Sequence, residues 1–328
     1  MEQIALIYDS GILYRSSVLM TLAVLAAICG FLAFYLRNSK TPIAGFIAIP
    51  IALALSLLLA RFLHWYAYPD VYPTLWVALT DHSAGGYLLL GAFMGCFLSA
   101  VITQAAGLHN NAAHMLDCMC LAGGAAISVG RLGAFFNSSS RGQLIHSATN
   151  LPWVSPVVNT VSGITEYRFA TFLLQAVITG IITAALLRFY RKRDKHYKNG
   201  DTALLFLLCY CAAQIILDST RYDVASFRSN GFISIVQVSC TMTLLFVIVF
   251  LSLRMVKNRG LYVWNLLLWA GMLPLLALAG YMEYYVQRHS DQALWAYLIM
   301  TFCLGMIVWV SIFLYRYGQK TNMNISNF

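Results

Sequence analysis

The chain has 328 residues, of which 60% are hydrophobic and only 10% are charged, and its mean hydropathy is +0.72. This composition excludes an ordinary water-soluble domain and is typical of a protein that crosses a membrane several times. The formal net charge of +9 could suggest a nucleic-acid binder, but most of the positive charges lie in short stretches between apolar segments, which excludes that class.

Nine apolar segments are each long enough to cross a bilayer as a helix, which takes about 20 residues. They are predicted at 16–36, 42–64, 85–105, 115–137, 166–187, 202–220, 232–253, 261–281 and 293–315. The sequence therefore predicts an all-α integral membrane protein with about nine transmembrane helices. No basic region precedes the first apolar run, so we expect no cleavable signal peptide.

Positive charge predicts how these helices are oriented. If the N-terminus lies outside, 13 of the 21 lysines and arginines, including every lysine, fall in inside loops or in the C-terminal tail. Because short cytoplasmic loops are enriched in lysine and arginine, the pattern predicts an external N-terminus and a cytoplasmic C-terminus.

Eight arginines remain outside those loops, and Arg61, Arg131 and Arg221 among them lie in or at the ends of apolar segments. An arginine in mid-helix costs about 2.5 to 3.5 kcal/mol, so its charge should face other helices, a water-filled cavity or a lipid phosphate. Taken singly, each is slightly better explained as a long side chain that reaches the lipid phosphates. Three of them at one predicted depth, beside glycines, favour a cavity for an anionic lipid.

Two further features are predicted to be structural. All eight cysteines lie inside apolar segments, where buried small apolar side chains are expected rather than a metal site or disulfides, so neither metal nor cofactor is predicted. The aromatic-rich stretch 65–84 is read as an interfacial belt, with a short helix lying on the membrane as one form of it. Residues 138–165 form the longest predicted outer loop.

A family resemblance enters at the segment from Asp117 to Gly142. It resembles the signature region of the prolipoprotein diacylglyceryl transferase family, and matches that region at Asp117, Gly130, Arg131, Gly133, Phe135, Asn137 and Gly142. Other segments agree with the family in order and spacing: Arg15–Met20, Arg61, Gly85–Gly91, Gln214–Arg221 and Ile233–Gln237. The chain is identified as a divergent member, with a transferase-like membrane core at 1–255. Residues 256–328 are predicted as two additional transmembrane helices and a short cytoplasmic tail.

The resemblance implies a reaction and a site. The family moves a diacylglyceryl group from phosphatidylglycerol to the cysteine thiol of a lipoprotein precursor, in the bacterial cell membrane. The implied partners are phosphatidylglycerol or another anionic phospholipid and the precursor peptide, with no nucleic acid. Arg131 and Asn137 are the predicted catalytic residues, because an arginine fork binds phosphate oxygens bidentately. The predicted head-group residues are Arg61, Gly130, Gly133, Gly142, Asp218 and Arg221.

The i, i+3 spacing of Asp218 and Arg221 predicts that their side chains touch on one helical turn. A purely structural ion pair that closes the helix end explains these two residues about equally well.

Several departures from the family pattern favour an alternative function. The family's asparagine, glutamate, histidine and sixth-helix arginine are replaced here by Ala134, Ser139, Leu90 and Gln214. Losing a base typically lowers a rate by about 10²- to 10⁴-fold, and losing a charge-stabilising group by about 10²- to 10³-fold. The alternative is therefore a catalytically inactive lipid- or lipoprotein-binding subunit that meets a membrane-protein partner through residues 256–328. A transporter is a weaker third hypothesis, because no inverted repeat is visible. If the chain is active, the candidate substitute bases are His64 and His82.

Overall fold

The computed structural model describes residues 4–8, 11–68, 72, 74–81, 86–109, 111–136, 140–145, 154–158, 164–193, 197–221, 233–261, 263–288 and 293–319. Ten helices and four short strands follow one another in these residues: β1 (Ile4–Tyr8), β2 (Gly11–Tyr14), α1 (Arg15–Asn38), α2 (Pro42–Ala67), α3 (Leu75–Thr80), α4 (Leu89–Ala105), α5 (Ala112–Leu132), β3 (Val154–Val158), β4 (Thr165–Phe169), α6 (Thr171–Arg191), α7 (Asp201–Ser219), α8 (Ile235–Arg259), α9 (Val263–Arg288) and α10 (Ala293–Gln319). A 3-10 turn, Gly133–Phe136, continues directly from α5.

The helices confirm the prediction of an all-α, multi-pass membrane protein. In the described part of the chain, eight helices are long and apolar enough to cross a membrane, by length and composition. The ninth apolar helix, α4, has 17 residues. At 1.5 Å per residue it is about 26 Å long, slightly less than the roughly 30 Å of a bilayer core, so the predicted count of nine is approximate.

The main local difference from the predicted spans lies before α6. The fifth span was predicted to start at residue 166, but Thr165–Phe169 is a strand that pairs antiparallel with β3, and α6 begins at Thr171. The segment alternates polar and aromatic side chains at Glu166, Tyr167, Arg168 and Phe169, and this period of two favours a strand over a helix. A second hairpin, formed by β1 and β2, leads directly into α1.

Helix α7 lies at the centre of the bundle and is the most buried of the candidate spans. It packs against α5, α6, α8 and α10. Its side chains Phe206 and Leu208 are fully buried together with Leu244 of α8 and Leu304 of α10. The pairs α1–α5 and α2–α4 complete the bundle.

The bundle has two ends that differ in charge. The end that carries Arg131, Ser140 and Ser219 is the site end, and the opposite end, which carries Lys192 and Lys198, is the lysine-rich end. The predicted direction of the chain across the membrane, with the lysine-rich end in the cytoplasm, stays a prediction.

Asp117 has a structural place at the lysine-rich end. Its carboxylate accepts hydrogen bonds from the backbone N–H groups of Gly200 and Ala203, at 2.7 and 2.8 Å, and from the Tyr197 hydroxyl at 2.6 Å. Helix α7 starts at Asp201, and the first N–H groups of a helix lack partners within the helix. Asp117 of α5 therefore caps α7 from a neighbouring helix.

The predicted boundary between core and additional helices falls inside a continuous element. Helix α8 runs to Arg259, past residue 255. The last helix, α10, packs on α7 and α8 as well as on α9. The division of the chain into two parts stays a prediction.

Candidate functional site

Arg131 lies in the last turn of α5, and the chain comes back to it at Ser140. One guanidinium nitrogen, Nη1, donates to the Ser140 hydroxyl at 3.2 Å. Ser140 has a positive φ of 57°, which is uncommon for a residue with a side chain, and its carbonyl accepts from the backbone N–H of Phe172 at 3.1 Å. This return of the chain brings Arg131 against the first turn of α6.

The end of α7 supplies the second half of the site. The Asp218 carboxylate is fully buried, and Arg221 donates to its Oδ1 at 3.2 Å, so the predicted contact between these two residues is present. Arg131 also lies close enough to Asp218 and to Tyr210 to interact electrostatically with both. Arg221 therefore contacts the Asp218 carboxylate directly, and Arg131 acts on it through its charge.

Helix α8 closes the site from a third side. The Ser234 hydroxyl accepts from the backbone N–H of Gln237 at 2.9 Å, while the Gln237 side-chain oxygen accepts from the backbone N–H of Ser234 at 3.0 Å. The Ser234 hydroxyl also donates to Oδ2 of Asp218. Sequence reasoning assigned no role to Ser234, although Ser-x-x-Gln before an apolar run is the signature of this capping box.

Of the three described side chains in this cluster, Arg131 and Arg221 carry a positive charge and Asp218 carries a negative charge. In a low-dielectric setting guanidinium groups are stabilised by anionic partners. A phosphate group suits them well, since the planar donors of arginine match two phosphate oxygens. The geometry thus favours a phosphate-bearing ligand at the site end.

Gly142 is placed by close packing. Its backbone pairs with that of Arg221, and its N–H donates to the carbonyl of Phe169 at 2.7 Å. A Cβ atom here would lie 2.8 Å from Thr171 Oγ1 and 2.9 Å from the carbonyl oxygen of Thr220. Only a glycine lets these three chain segments meet at this distance. Gly142 therefore allows residues 140–145 to pack against the start of α6 and the end of α7.

Arg141, between Ser140 and Gly142, fixes the hairpin of β3 and β4. Its side chain is buried, donates to the Ser155 hydroxyl and lies 5.2 Å above the Phe172 ring. Burial lowers the pKa of Arg141, but an arginine keeps its proton in proteins.

Gly130 and Gly133 face α1. A Cβ at Gly130 would lie 3.2 Å from the Met20 sulfur, and one at Gly133 would lie 3.3 Å from the carbonyl oxygen of Ser16. These distances indicate close helix packing between α1 and α5. The assignment of both glycines to the lipid head group stays a prediction.

Arg61 belongs to a second cluster, on α2. Its side chain is 2% exposed, and its guanidinium donates to the backbone carbonyls of Ala78, Asp81 and Gly86. It also lies 4.7 Å above the Tyr72 ring. These contacts hold α3 and the start of α4 against α2. The assignment of Arg61 to the lipid head group stays a prediction.

The remaining sequence candidates are spread over the fold. Asn137 and His82 lie outside the described residues. The His64 ring lies against the Tyr68 ring, with the centroids 4.7 Å apart and the planes tilted by 36°, and it occupies the space where a Cβ of residue 86 would stand. Gln214 is buried in α7, one turn before Asp218.

Comparisons with known proteins point to one family. The family described as prolipoprotein diacylglyceryl transferase matches residues 11–253. A Lactococcus lactis subsp. lactis protein named phosphatidylglycerol–prolipoprotein diacylglyceryl transferase is 28% identical over 234 residues, covering 68% of this chain and 82% of its own length. Proteins of the same name from Lactococcus lactis subsp. cremoris and Limosilactobacillus reuteri are 27% identical over 202 residues and 26% identical over 196 residues. The first of these matches covers 59% of this chain and 70% of the relative, and the second covers 58% and 68%.

Proposed function

The chain belongs to the prolipoprotein diacylglyceryl transferase family, and we propose that it transfers a diacylglyceryl group from phosphatidylglycerol to the cysteine thiol of a lipoprotein precursor. The observation that carries this proposal is the Arg221–Asp218 ion pair at the end of α7, with the charge of Arg131 acting on the same buried carboxylate. Two neighbouring guanidinium groups suit the phosphate of an anionic phospholipid.

The reaction makes one bond and breaks one bond. The thiol sulfur bonds to the glyceryl carbon, the bond from that carbon to the phosphate oxygen breaks, and glycerol phosphate leaves. The departing phosphate gains negative charge as the bond breaks, so cations placed in advance lower the barrier. The thiol proton passes to the new phosphate monoester or to water, since such a monoester has a second pKa of about 6.

Arg131 and Arg221 divide this work. Arg131 stabilises the leaving phosphate, and its bond to Ser140 sets the direction of its guanidinium. Arg221 binds the head group, and its bond to Asp218 fixes its position before the lipid arrives. Asn137, which directly follows the 3-10 turn in the sequence, donates a further hydrogen bond to the phosphate.

The protein works as a multi-pass protein of the bacterial plasma membrane, with the site end facing outward. The lysines support this direction, because Lys192 and Lys198 lie together at the opposite end and lysine-rich loops favour the cytoplasm. The site then lies at the outer leaflet, where it can take phosphatidylglycerol from the membrane and receive a precursor that has crossed it.

The alternative, a non-catalytic lipid-binding subunit, rests on Leu90 and Gln214, which replace the histidine and arginine implied by the resemblance. Expression of the chain in bacteria depleted of their own transferase separates the two functions. A transferase restores lipidated precursor, and its Arg131→Ala variant, present in the membrane at the same level, does not. If the unaltered chain reaches the membrane in amount and restores no lipidated precursor, the proposed transfer is wrong.

A further inference from the structure

Helix α10 runs antiparallel to α7 and meets it with polar side chains at both ends. Between those ends its side chains Cys303, Leu304 and Ile307 are buried in the same apolar core as α7. Neither α9 nor α10 lies within the family match, which ends at residue 253. The contacts that α10 makes with α7 therefore come from a part of the chain that the family match does not cover.

At the site end, the contact is made by Tyr297. Its hydroxyl donates to the backbone carbonyl of Ser219 at 3.2 Å and accepts from the side-chain amide of Gln143 at 3.5 Å. Ser219 is the last residue of α7 and directly follows Asp218, while Gln143 directly follows Gly142. One hydroxyl thus contacts the neighbours of two residues at the candidate site.

The Ser219 carbonyl, which accepts from Tyr297, needs a hydrogen-bond donor from outside α7. The last carbonyls of a helix find no donor within the helix, and near hydrocarbon an unpaired carbonyl is costly. At the end of α7, the Leu217 carbonyl accepts from the Thr220 hydroxyl at 2.8 Å, and that of Asp218 accepts from the Arg221 backbone N–H at 3.1 Å. Both of these donors come from the residues that follow α7, whereas the donor to Ser219 comes from another helix.

At the lysine-rich end, α10 holds the beginning of α7. The buried carboxylate of Asp201 accepts from the Tyr315 hydroxyl at 2.9 Å and from the Gln319 side-chain amide at 3.2 Å. Arg254 of α8 pairs with the same carboxylate. A helix fixed at its first and last residues by one neighbour has little freedom to shift along its axis.

We propose that α10 fixes the axial position of α7, and that Tyr297 is the positioning residue that sets the Asp218–Arg221 pair for the lipid head group. This inference rests on the proposed function, because it assigns Tyr297 an effect on the same site. It also gives α10 an intramolecular role that differs from the predicted docking of a partner through residues 256–328.

The test removes only the hydroxyl, by Tyr297→Phe, and measures transfer from phosphatidylglycerol in proteoliposomes. If Tyr297 positions Arg221, KM for the lipid rises by about five- to tenfold while kcat per folded protein stays within about twofold, as loss of a binding interaction requires. A purely structural effect lowers the amount of folded protein instead, and leaves KM unchanged. The matched control is Tyr281→Phe, which removes a hydroxyl from a side chain that is 57% exposed on α9.

A second variant checks the route of the effect. Gln143→Leu removes the other partner of the Tyr297 hydroxyl. If both act through that hydroxyl, the effect on KM in the double variant should be smaller than the two single effects added together. An unchanged KM in Tyr297→Phe, beside an active unaltered protein, overturns the inference and leaves the proposed function standing.

If the unaltered protein transfers nothing, the proposed function fails, and binding to vesicles of phosphatidylglycerol becomes the readout. Tyr297→Phe should then weaken binding while Tyr281→Phe does not, and equal binding by both variants overturns the inference.

Discussion

The charges of Arg131 and Arg221 act on one buried carboxylate from the ends of two different helices. Arg221 and Ser234 donate to the Asp218 carboxylate, and Arg131 donates to the Ser140 hydroxyl. These contacts hold the side chains in place, so an arriving phosphate would meet donors that are already positioned.

Arg131→Ala should lower the rate of diacylglyceryl transfer by about 10²- to 10³-fold, because it removes one charge-stabilising group from the leaving phosphate. Arg131→Lys should recover only part of the loss, since lysine keeps the charge but not the planar fork. Initial rates in proteoliposomes at matched protein amounts measure both. Arg37→Ala, at the exposed lysine-rich end of α1, is the control. A wild-type rate in Arg131→Ala would contradict its role.

Gly142→Ala should destabilise the protein by about 1 to 3 kcal/mol, because its Cβ would overlap with Thr171 and with the carbonyl of Thr220. Gly123→Ala on α5 is the matched control, since a Cβ there meets no atom within 4 Å among the described neighbours. Thermal unfolding in detergent measures the difference. Equal midpoints for the two variants would show that the segment carrying Gly142 packs less closely than described.

Single residues were predictable from the sequence where their partners are local. The spacing of Asp218 and Arg221 was enough to predict their contact, which the structure contains. The surroundings of Arg61 were not predictable, because its guanidinium donates hydrogen bonds to backbone carbonyls 17 to 25 residues away in the chain. The two glycines beside Arg131 face α1, which only the helix packing reveals.

At the level of elements, apolar length predicted the helices well and missed the hairpins. Each predicted span overlaps a helix of the structure, because a bilayer-length apolar run has few other stable forms. The strands β3 and β4 have five residues each and pair with each other; β3 lies in the predicted outer loop, whereas β4 falls almost wholly in the predicted fifth span. Segments this short carry a weak periodic signal, so the sequence did not predict their pairing.

The close packing of α4 against α2 should depend on two glycines of α4. Cβ atoms at Gly91 and Gly95 would overlap with the α2 backbone at Ala60 and Ser56, so the small-xxx-small pattern lets the helices approach closely. Gly91→Ala should lower stability by about 1 to 3 kcal/mol through overpacking. Gly271→Ala on α9, where a Cβ has open space among the described residues, should leave the unfolding midpoint unchanged. If both variants unfold at the same temperature, the close α2–α4 contact at Gly91 does not stabilise the protein as expected.

At the level of the whole molecule, the bundle places its polar clusters at two opposite ends of a central helix. Asp117 and Asp201 hold the beginning of α7 with side chains from α5, α8 and α10, whereas Asp218 at its other end pairs with Arg221. The family match ends before α9, yet α10 packs directly on α7. The chain differs from the family pattern at Leu90 and Gln214, but α7, which carries the site at its end, still packs against α5, α6, α8 and α10.

A transfer assay with the purified protein is the most direct test of the proposed reaction. The protein is reconstituted with phosphatidylglycerol labelled in its acyl chains and given a synthetic peptide that carries the acceptor cysteine of a lipoprotein precursor. We expect labelled, thioether-linked peptide and an equal amount of released glycerol phosphate, both strongly reduced in Arg131→Ala. A folded protein that binds phosphatidylglycerol but forms no linked peptide would contradict the proposed reaction, and would make this chain a lipid-binding subunit.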